Sequence, residues 1–258
     1  MNRIQLAGWT TDEAAPRHKP QIAVEHALLS TAPHPGLHFT LFAPLHYERN
    51  YSYPLVVWLH GPGDDERQLR RVMPLVSMRN YVAVGPRGTC AHEDSPGFYW
   101  GDDEISIDAA EHAVLEAIAA VQKKFNVARP KIFLAGFQCG GTTAFHVGLR
   151  NPDLFAGVLS LGGPFPSRHT PLRRLTQLRR LPLFIAHGRD STAYPIERTC
   201  EELRLFHAAG MNITLRQYPC GDELTTQMLH DMDMWLMERV TGQTQTPQPS
   251  RPPLTEAN

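Results

Sequence analysis

From His38 onward the chain alternates between short apolar runs and longer amphipathic segments. LVVWLH (55–60), YVAVG (81–85), KIFLAGF (131–137), AGVLSLGG (156–163) and LPLFIAHG (181–188) carry apolar side chains at successive positions. Runs so short and so uniformly apolar are expected to be strands covered on both faces. FTLFAP (39–44) and ITLRQYP (213–219) read as two more strands. Helical spacing fills the gaps, near 65–78, 104–125, from the GFQCGG loop to about Arg150, 196–209 and 225–239. The longest stripe is Ala110, Ala113, Val114, Ala117, Ile118, Val121 and Phe125, spaced by threes and fours. Asp102, Asp103 and Glu104 stand at its start, where carboxylates suit the free amides. Strand-then-helix repetition predicts an α/β fold, a mainly parallel sheet with helices on both faces and right-handed crossovers. Ligands in such sheets bind at the carboxyl ends of the strands, where HGPG, GPRG, GFQCGG, SLGG and HGRD occur.

The pattern sets the boundaries. Residues 1–37 show no periodicity and are read as an N-terminal extension, 38–240 as one domain. The tail 241–258, TGQTQTPQPSRPPLTEAN, is polar and proline-rich and is expected to be disordered. The 258 residues are 42% hydrophobic and 20% charged, an ordinary globular balance. Lys plus Arg is 25 against 26 Asp plus Glu, a net charge of -1, so nucleic-acid binding is not expected. The cysteines at 90, 139, 200 and 220 have neither CxxC nor zinc-ligand spacing. No cofactor or metal ion is called for. The N-terminus lacks the apolar core of a signal peptide, and no run of about 18 apolar residues exists to span a membrane. A cytoplasmic protein is expected.

Four segments carry chemistry. They are WLHGPGDDE (58–66), KIFLAGFQCGGTTAF (131–145), HGRDSTAYPIE (187–197) and YPCGDELTTQMLHDMDMWL (218–236). In that order the chain resembles the α/β-hydrolase superfamily, most closely its phospholipase/carboxylesterase (acyl-protein thioesterase-like) esterases. The resemblance covers about residues 38–239 and implies the α/β-hydrolase fold, an oxyanion loop, a nucleophile elbow, a triad acid and a triad histidine. Hydrolysis on that plan needs a serine on a sharp strand-to-helix turn, a histidine to take its proton and an acid to orient the histidine.

Each slot departs from the plan. Where the family reads GFSQGG, this chain has Gly136-Phe137-Gln138-Cys139-Gly140-Gly141, with Gln138 in the serine slot. The family's HGxxDxxVP falls on residues 187–195, which puts Ser191 in the acid slot and Asp190 one residue early. In place of the family's G-H-E stands Gly221-Asp222-Glu223, so Asp222 takes the histidine slot. Between the glycines of the oxyanion loop stands Pro62, which has no N–H to donate. One missing donor costs about 3–4 kcal/mol of transition-state stabilisation.

The leading expectation is therefore a catalytically degenerate carboxylesterase-like protein that binds a small acyl-like ligand or a protein partner. The alternative is an active carboxylesterase or thioesterase with a displaced nucleophile, Cys139 or Ser191. A third reading is a structural oligomer subunit, such as a homodimer. Cys139 reads first as a small buried thiol with an amide in oxyanion position, and His146, two helical turns on, as a packed side chain rather than its base. His60 and His187 read as loop supports. His230 beside Asp231 and Asp233 reads as a solvated helix face rather than a metal site. Asp64, Asp65 and Glu66 are expected to cap a helix. The segment from Arg168 to Arg180 holds Arg168, Arg173, Arg174, Arg179 and Arg180 without an acid, either a solvated amphipathic helix or an anionic-partner surface.

Overall fold

The computed structural model describes residues 38–92, 96–166 and 175–242. The N-terminal extension, the tail from residue 243 and residues 167–174 of the arginine segment lie outside the described residues.

Seven strands form the main sheet. They are β1 (Phe39–Phe42), β2 (Tyr53–Leu59), β3 (Val82–Pro86), β6 (Val127–Phe137), β7 (Gly157–Leu161), β8 (Leu183–Gly188) and β9 (Ile213–Tyr218). Their spatial order is β1-β3-β2-β6-β7-β8-β9. All neighbours are parallel except β1, which pairs antiparallel with β3. A small hairpin of β4 (Cys90–Ala91) and β5 (Phe98–Tyr99), which the apolar pattern does not announce, stands apart. The helices are α1 (Gln68–Val76), α2 (Glu104–Lys124), α3 (Cys139–Arg150), α4 (Leu175–Leu178), α5 (Ile196–Ala209) and α6 (Thr226–Thr241).

The apolar runs become central strands because each residue has a face to bury. Along β2, Leu55, Val57 and Leu59 enter one core while Val56 and Trp58 enter the other. The first core is roofed by Ala110, Val114, Ala117 and Val121 of α2, Phe145 of α3 and Phe206 of α5. The second is roofed by Leu69 and Met73 of α1 and by Met228, Met232, Trp235 and Leu236 of α6. Helices thus cover both faces of a mostly parallel sheet, as the strand-helix alternation requires.

Helix ends follow local chemistry. Asp103 caps α2, its carboxylate accepting from the Ser106 amide at 3.0 Å, and Lys123 and Lys124 close the other end. Thr225 caps α6 in the same way through Met228 N–H at 3.2 Å. The expectation that Asp64, Asp65 and Glu66 cap a helix is corrected. The residue preceding α1 is Arg67, whose side chain caps nothing. Asp65 accepts from the Arg67 amide at 2.8 Å, and Asp64 binds the side chains of Gln68 and Arg71. Glu66 is buried in a bidentate pair with Arg87, both bonds 2.7 Å. The Arg87 guanidinium is an i+21 partner that no local pattern discloses. Burial pushes the Glu66 carboxyl up, but the Arg87 hydrogen bonds, a backbone amide and the Arg87 and Arg67 charges together outweigh it and leave the carboxyl below its ordinary range.

Two glycines let the strand ends converge. A Cβ on Gly140 would stand 2.4 Å from the Leu59 carbonyl oxygen and 2.6 Å from that of His60. A Cβ on Gly136 would stand 2.3 Å from the Gly140 carbonyl. Both obstacles are backbone and cannot swing aside. Gly140→Ala is expected to destabilise the fold by about 1–3 kcal/mol through overpacking, read as a lowered denaturation midpoint with an unchanged slope. An unaltered midpoint would show that α3 can lift off the end of β2.

Candidate active site

The site is built where β6 turns into α3. Gln138 occupies that turn with φ 46° and ψ −116°, a left-handed backbone that non-glycine residues rarely adopt. Such a conformation costs about 1–3 kcal/mol and persists only where the surroundings impose it. Here the Gln138 amide donates to Leu161 O at 2.9 Å, and the Gln138 carbonyl accepts from Thr142 N at 3.0 Å. Gly163 leaves room for that carbonyl, since a Cβ there would meet it at 2.2 Å.

The structure brings the three predicted positions together. The Gln138 side-chain amide donates from Nε2 to the backbone carbonyl of Asp222 at 2.7 Å. The Asp222 carboxylate turns to the loop after β8. There Oδ1 accepts from Ser191 Oγ and from Ala193 N at 3.2 Å. Oδ2 accepts from Thr192 N at 3.2 Å and Thr192 Oγ1 at 2.7 Å. Gly188 permits the approach of the two loops, as a Cβ on it would stand 2.1 Å from Gly221 O. Four donors hold one carboxylate. The Ser191 hydroxyl, foremost among them, keeps the Asp222 carboxyl below its usual range. Asp190 plays no part in this cluster: its side chain is exposed, 3.5 Å from Arg189 Nε.

The two candidate nucleophiles, Ser191 and Cys139, have different surroundings. Ser191 donates to Asp222 and accepts from Tyr194 N at 2.9 Å, and it does not line the cavity described below. A carboxyl with a lowered pKa is also a weak base toward that hydroxyl. Cys139 opens α3 and is half-buried, and burial pushes its thiol up, away from the reactive thiolate.

The oxyanion side is equally constrained. Pro62 faces the cavity without an N–H. The amides flanking it are engaged within the protein, Gly61 N with Gln68 Oε1 at 3.3 Å and Gly63 N with Phe98 O at 2.9 Å. His60 supports the loop, as its position suggested. Its Nε2 accepts from Gly88 N at 2.8 Å, so Nδ1 carries the proton and donates to Gly61 O at 2.7 Å. Burial depresses its pKa, which keeps this ring neutral. His187 is likewise buried, with Nε2 2.8 Å from Tyr194 O.

Over the elbow lies a cavity of about 650 Å³. Its floor includes Gln138 and Cys139, with Thr142, Thr143 and His146 from α3. Tyr99, Trp100 and Asp102 contribute from the segment before α2, Pro164 and Pro166 from beyond β7, and Ala193 and Arg198 from the β8–α5 side. Sequence reasoning missed Trp100, whose Nε1 donates to His60 O at 3.1 Å, and the Arg198–Glu202 pair. The i,i+4 spacing of Arg198 and Glu202 is legible in RTCEE; that it lies beside the cavity is not. Among the described residues, no group of three or more His, Cys, Asp or Glu is placed to hold a metal ion. Among them too, no helix is long and apolar enough to cross a membrane.

The cluster predicts a pH signature. A carboxyl depressed in the folded state stabilises it above the unfolded value, about 3.9, and loses that contribution as pH falls through the folded value. Asp222→Asn should therefore melt below the wild type at neutral pH, with the gap closing as the pH falls below the ordinary carboxylate range. A gap independent of pH would mean that shape rather than charge holds the two loops.

Similarity to known proteins follows the same geometry. The family described as Phospholipase/Carboxylesterase matches residues 47–239. Lysophospholipase-like protein 1 of Mus musculus is 27% identical over 152 residues, 55% of this chain and 64% of that protein. Acyl-protein thioesterase 1 homolog 2 of Dictyostelium discoideum is 29% identical over 110 residues, 42% of this chain and 49% of its own length. The chain thus spans less than two-thirds of either relative. Among solved structures, a carboxylesterase from Mesorhizobium loti superposes with a TM-score of 0.65 at 21% identity, covering 81% of this chain and 98% of that one. A Bacillus cereus carboxylesterase gives 0.64 at 18% identity, covering 80% and 95%, and at such identities the likeness is one of fold. With the match spanning most of the chain, and the strand order and elbow agreeing with it, the protein belongs to the phospholipase/carboxylesterase family of α/β-hydrolase folds.

Proposed function

We propose that this chain is a carboxylesterase-fold protein without the family's hydrolytic mechanism, acting instead by binding a small acyl-like ligand in the cavity above the elbow. The observation that carries the reading is the Asp222 carboxylate held by Ser191, Thr192 and Ala193, with Gln138 donating to the backbone of the same residue. Gln138, Asp222 and Ser191 occupy the positions that would be nucleophile, base and orienting acid in an esterase. In this chain they form a closed set of hydrogen bonds in which nothing can take a proton from an attacking group at neutral pH. Gln138 offers an amide nitrogen with no nucleophilic lone pair. Asp222 is a weaker base than a free carboxylate and has its lone pairs occupied. Pro62, with its flanking amides turned inward, withholds one oxyanion donor.

The cavity supports a binding role. Its volume of about 650 Å³ and its mixed lining are the arrangement of a small-molecule site. The Arg168–Arg180 segment remains a proposed partner surface. Only residues 175–180 of it are described, and there Arg179 and Arg180 are exposed, with Arg179 Nε bonded to Ala209 O at 2.9 Å.

The displaced-nucleophile reading rests on one observation, that Cys139 and His146 line the same cavity. It is weakened by the raised pKa of the thiol. Turnover of short acyl esters and thioesters decides between the two. The purified protein should show no rate above the solvent background, and Gln138→Ser alone should recover none, because base and donor are still missing. Gln138→Ser combined with Ser191→Asp and Asp222→His should recover measurable turnover, limited by Pro62. Robust wild-type hydrolysis abolished by Cys139→Ala or Ser191→Ala would overturn the proposal.

A further inference from the structure

Among the described residues the cavity wall carries one cation, and its placement is more specific than a binding role in general requires. Arg198 stands in the first turn of α5 and lines the cavity beside Ala193 and Pro166. Two of its three guanidinium nitrogens are fixed from behind. Nε donates to Glu202 Oε1 at 3.0 Å, and Nη2 donates to Phe165 O at 2.9 Å. Glu202 is itself buried and immobilised, accepting from Tyr194 Oη and from Phe165 N at 3.2 Å. Among the described residues the remaining nitrogen, Nη1, has no hydrogen-bond partner. A guanidinium held in one plane, with an edge left over and a cavity beside it, is a preorganised donor for a carboxylate.

The rest of the lining sets the shape of what could sit there. The sheet order places β2, β6, β7 and β8 side by side. Trp100 is tied to the end of β2 through His60 O, while Arg198 follows β8, so three strand spacings, about 14 Å, separate the two sides. The rest of the lining is mixed, with Pro62, Pro164 and Cys139 beside Gln138, Thr142 and Thr143. Among the described residues the other charged group of the lining is Asp102, on the Trp100 side, where it disfavours a second negative charge.

We infer that the cavity takes a monoanionic carboxylate with an apolar body, its carboxylate on the free edge of Arg198 and its body lying across the elbow toward Trp100. This deepens the binding role proposed above and rests on it. An uncharged ester or amide of the same shape would fill the same space without the charge-assisted bonds. The ligand is then the acid itself rather than its ester.

Isothermal titration calorimetry on the full chain tests this with octanoate and the isosteric neutral octanamide. Octanoate should bind at least about tenfold more tightly, the effect of one charge-assisted contact. Its affinity should fall with added sodium chloride while that of octanamide stays level. Arg198→Gln should bring octanoate down to the affinity of octanamide and leave octanamide within about twofold of its wild-type value. Should Arg198→Gln fail to fold, for want of a partner for Glu202, the salt dependence and the acid-to-amide ratio of the wild type still decide. Equal affinities, no binding of either probe, or a preference for octanoate that survives in Arg198→Gln would each overturn the inference. Methyl octanoate assayed for hydrolysis in parallel separates the two claims. Its turnover would strike down the non-hydrolytic reading, whereas equal binding of acid and amide without turnover would strike down only the role of Arg198.

Discussion

The structure depends on one close approach of backbones. At the carboxyl end of the sheet, the end of β2, the turn from β6 into α3 and the end of β7 meet with no space for side chains, and Gly136, Gly140 and Gly163 are the residues that allow it. The convergence forces Gln138 into a left-handed conformation and lifts it above the sheet edge. It aims the first turn of α3 at the cavity and holds the HGPG loop against the elbow. The hydrophobic cores on the two faces supply the stability to maintain the strained residue, since burial of either large apolar set exceeds a cost of about 1–3 kcal/mol. An elbow of this kind presents one side chain in a fixed direction whatever that side chain is. Geometry and chemistry are therefore separable here, and on our reading this chain has kept the first and exchanged the second.

On that reading the exchange is coherent rather than a scatter of losses. Asp222 is satisfied by donors that the β8–α5 loop presents, and Ser191 is one of them. Gln138 spans the gap to the β9–α6 loop by an amide hydrogen bond. The three positions thus stitch two loops to the elbow, a structural service where an esterase would keep a proton relay. These groups are part-buried or exposed, so their hydrogen bonds act mainly by fixing the relative position of the two loops. The cavity persists beside them because its walls belong to the fold, with Trp100 anchored on His60 O and Arg198 anchored on Glu202 and Phe165 O.

Much of this was legible in the sequence, for reasons of period and spacing. LVVWLH and KIFLAGF are apolar at successive positions because both faces of their strands are covered, and such runs have no other simple reading. The α2 stripe and its Asp103 cap were equally plain. The small hairpin of β4 and β5 was not, because strands of two residues carry no periodicity. The acids at 64–66 were misread as caps because the partner that claims Glu66 lies far along the chain, at Arg87. Gln138, Ser191 and Asp222 could be located from the glycines and prolines around them, but not the direction of their bonds. That Gln138 would reach the backbone of Asp222 while its carboxylate turned to 191–193 follows from how closely two loops approach, which Gly188 governs and no local pattern states. Arg198 was missed for the same reason: its i,i+4 pair is visible, its place on the cavity wall is tertiary.

The central claim is that the elbow of this protein cannot form a covalent acyl intermediate. Intact-protein mass spectrometry after incubation with excess 4-nitrophenyl butyrate at neutral pH tests it most directly, because it reports the bond itself and not any later turnover. The account predicts that the folded protein keeps its unmodified mass over the time in which the ester decays by itself in buffer. A stoichiometric butyryl adduct on the folded protein, mapped by peptide digestion to Cys139 or Ser191, would contradict it.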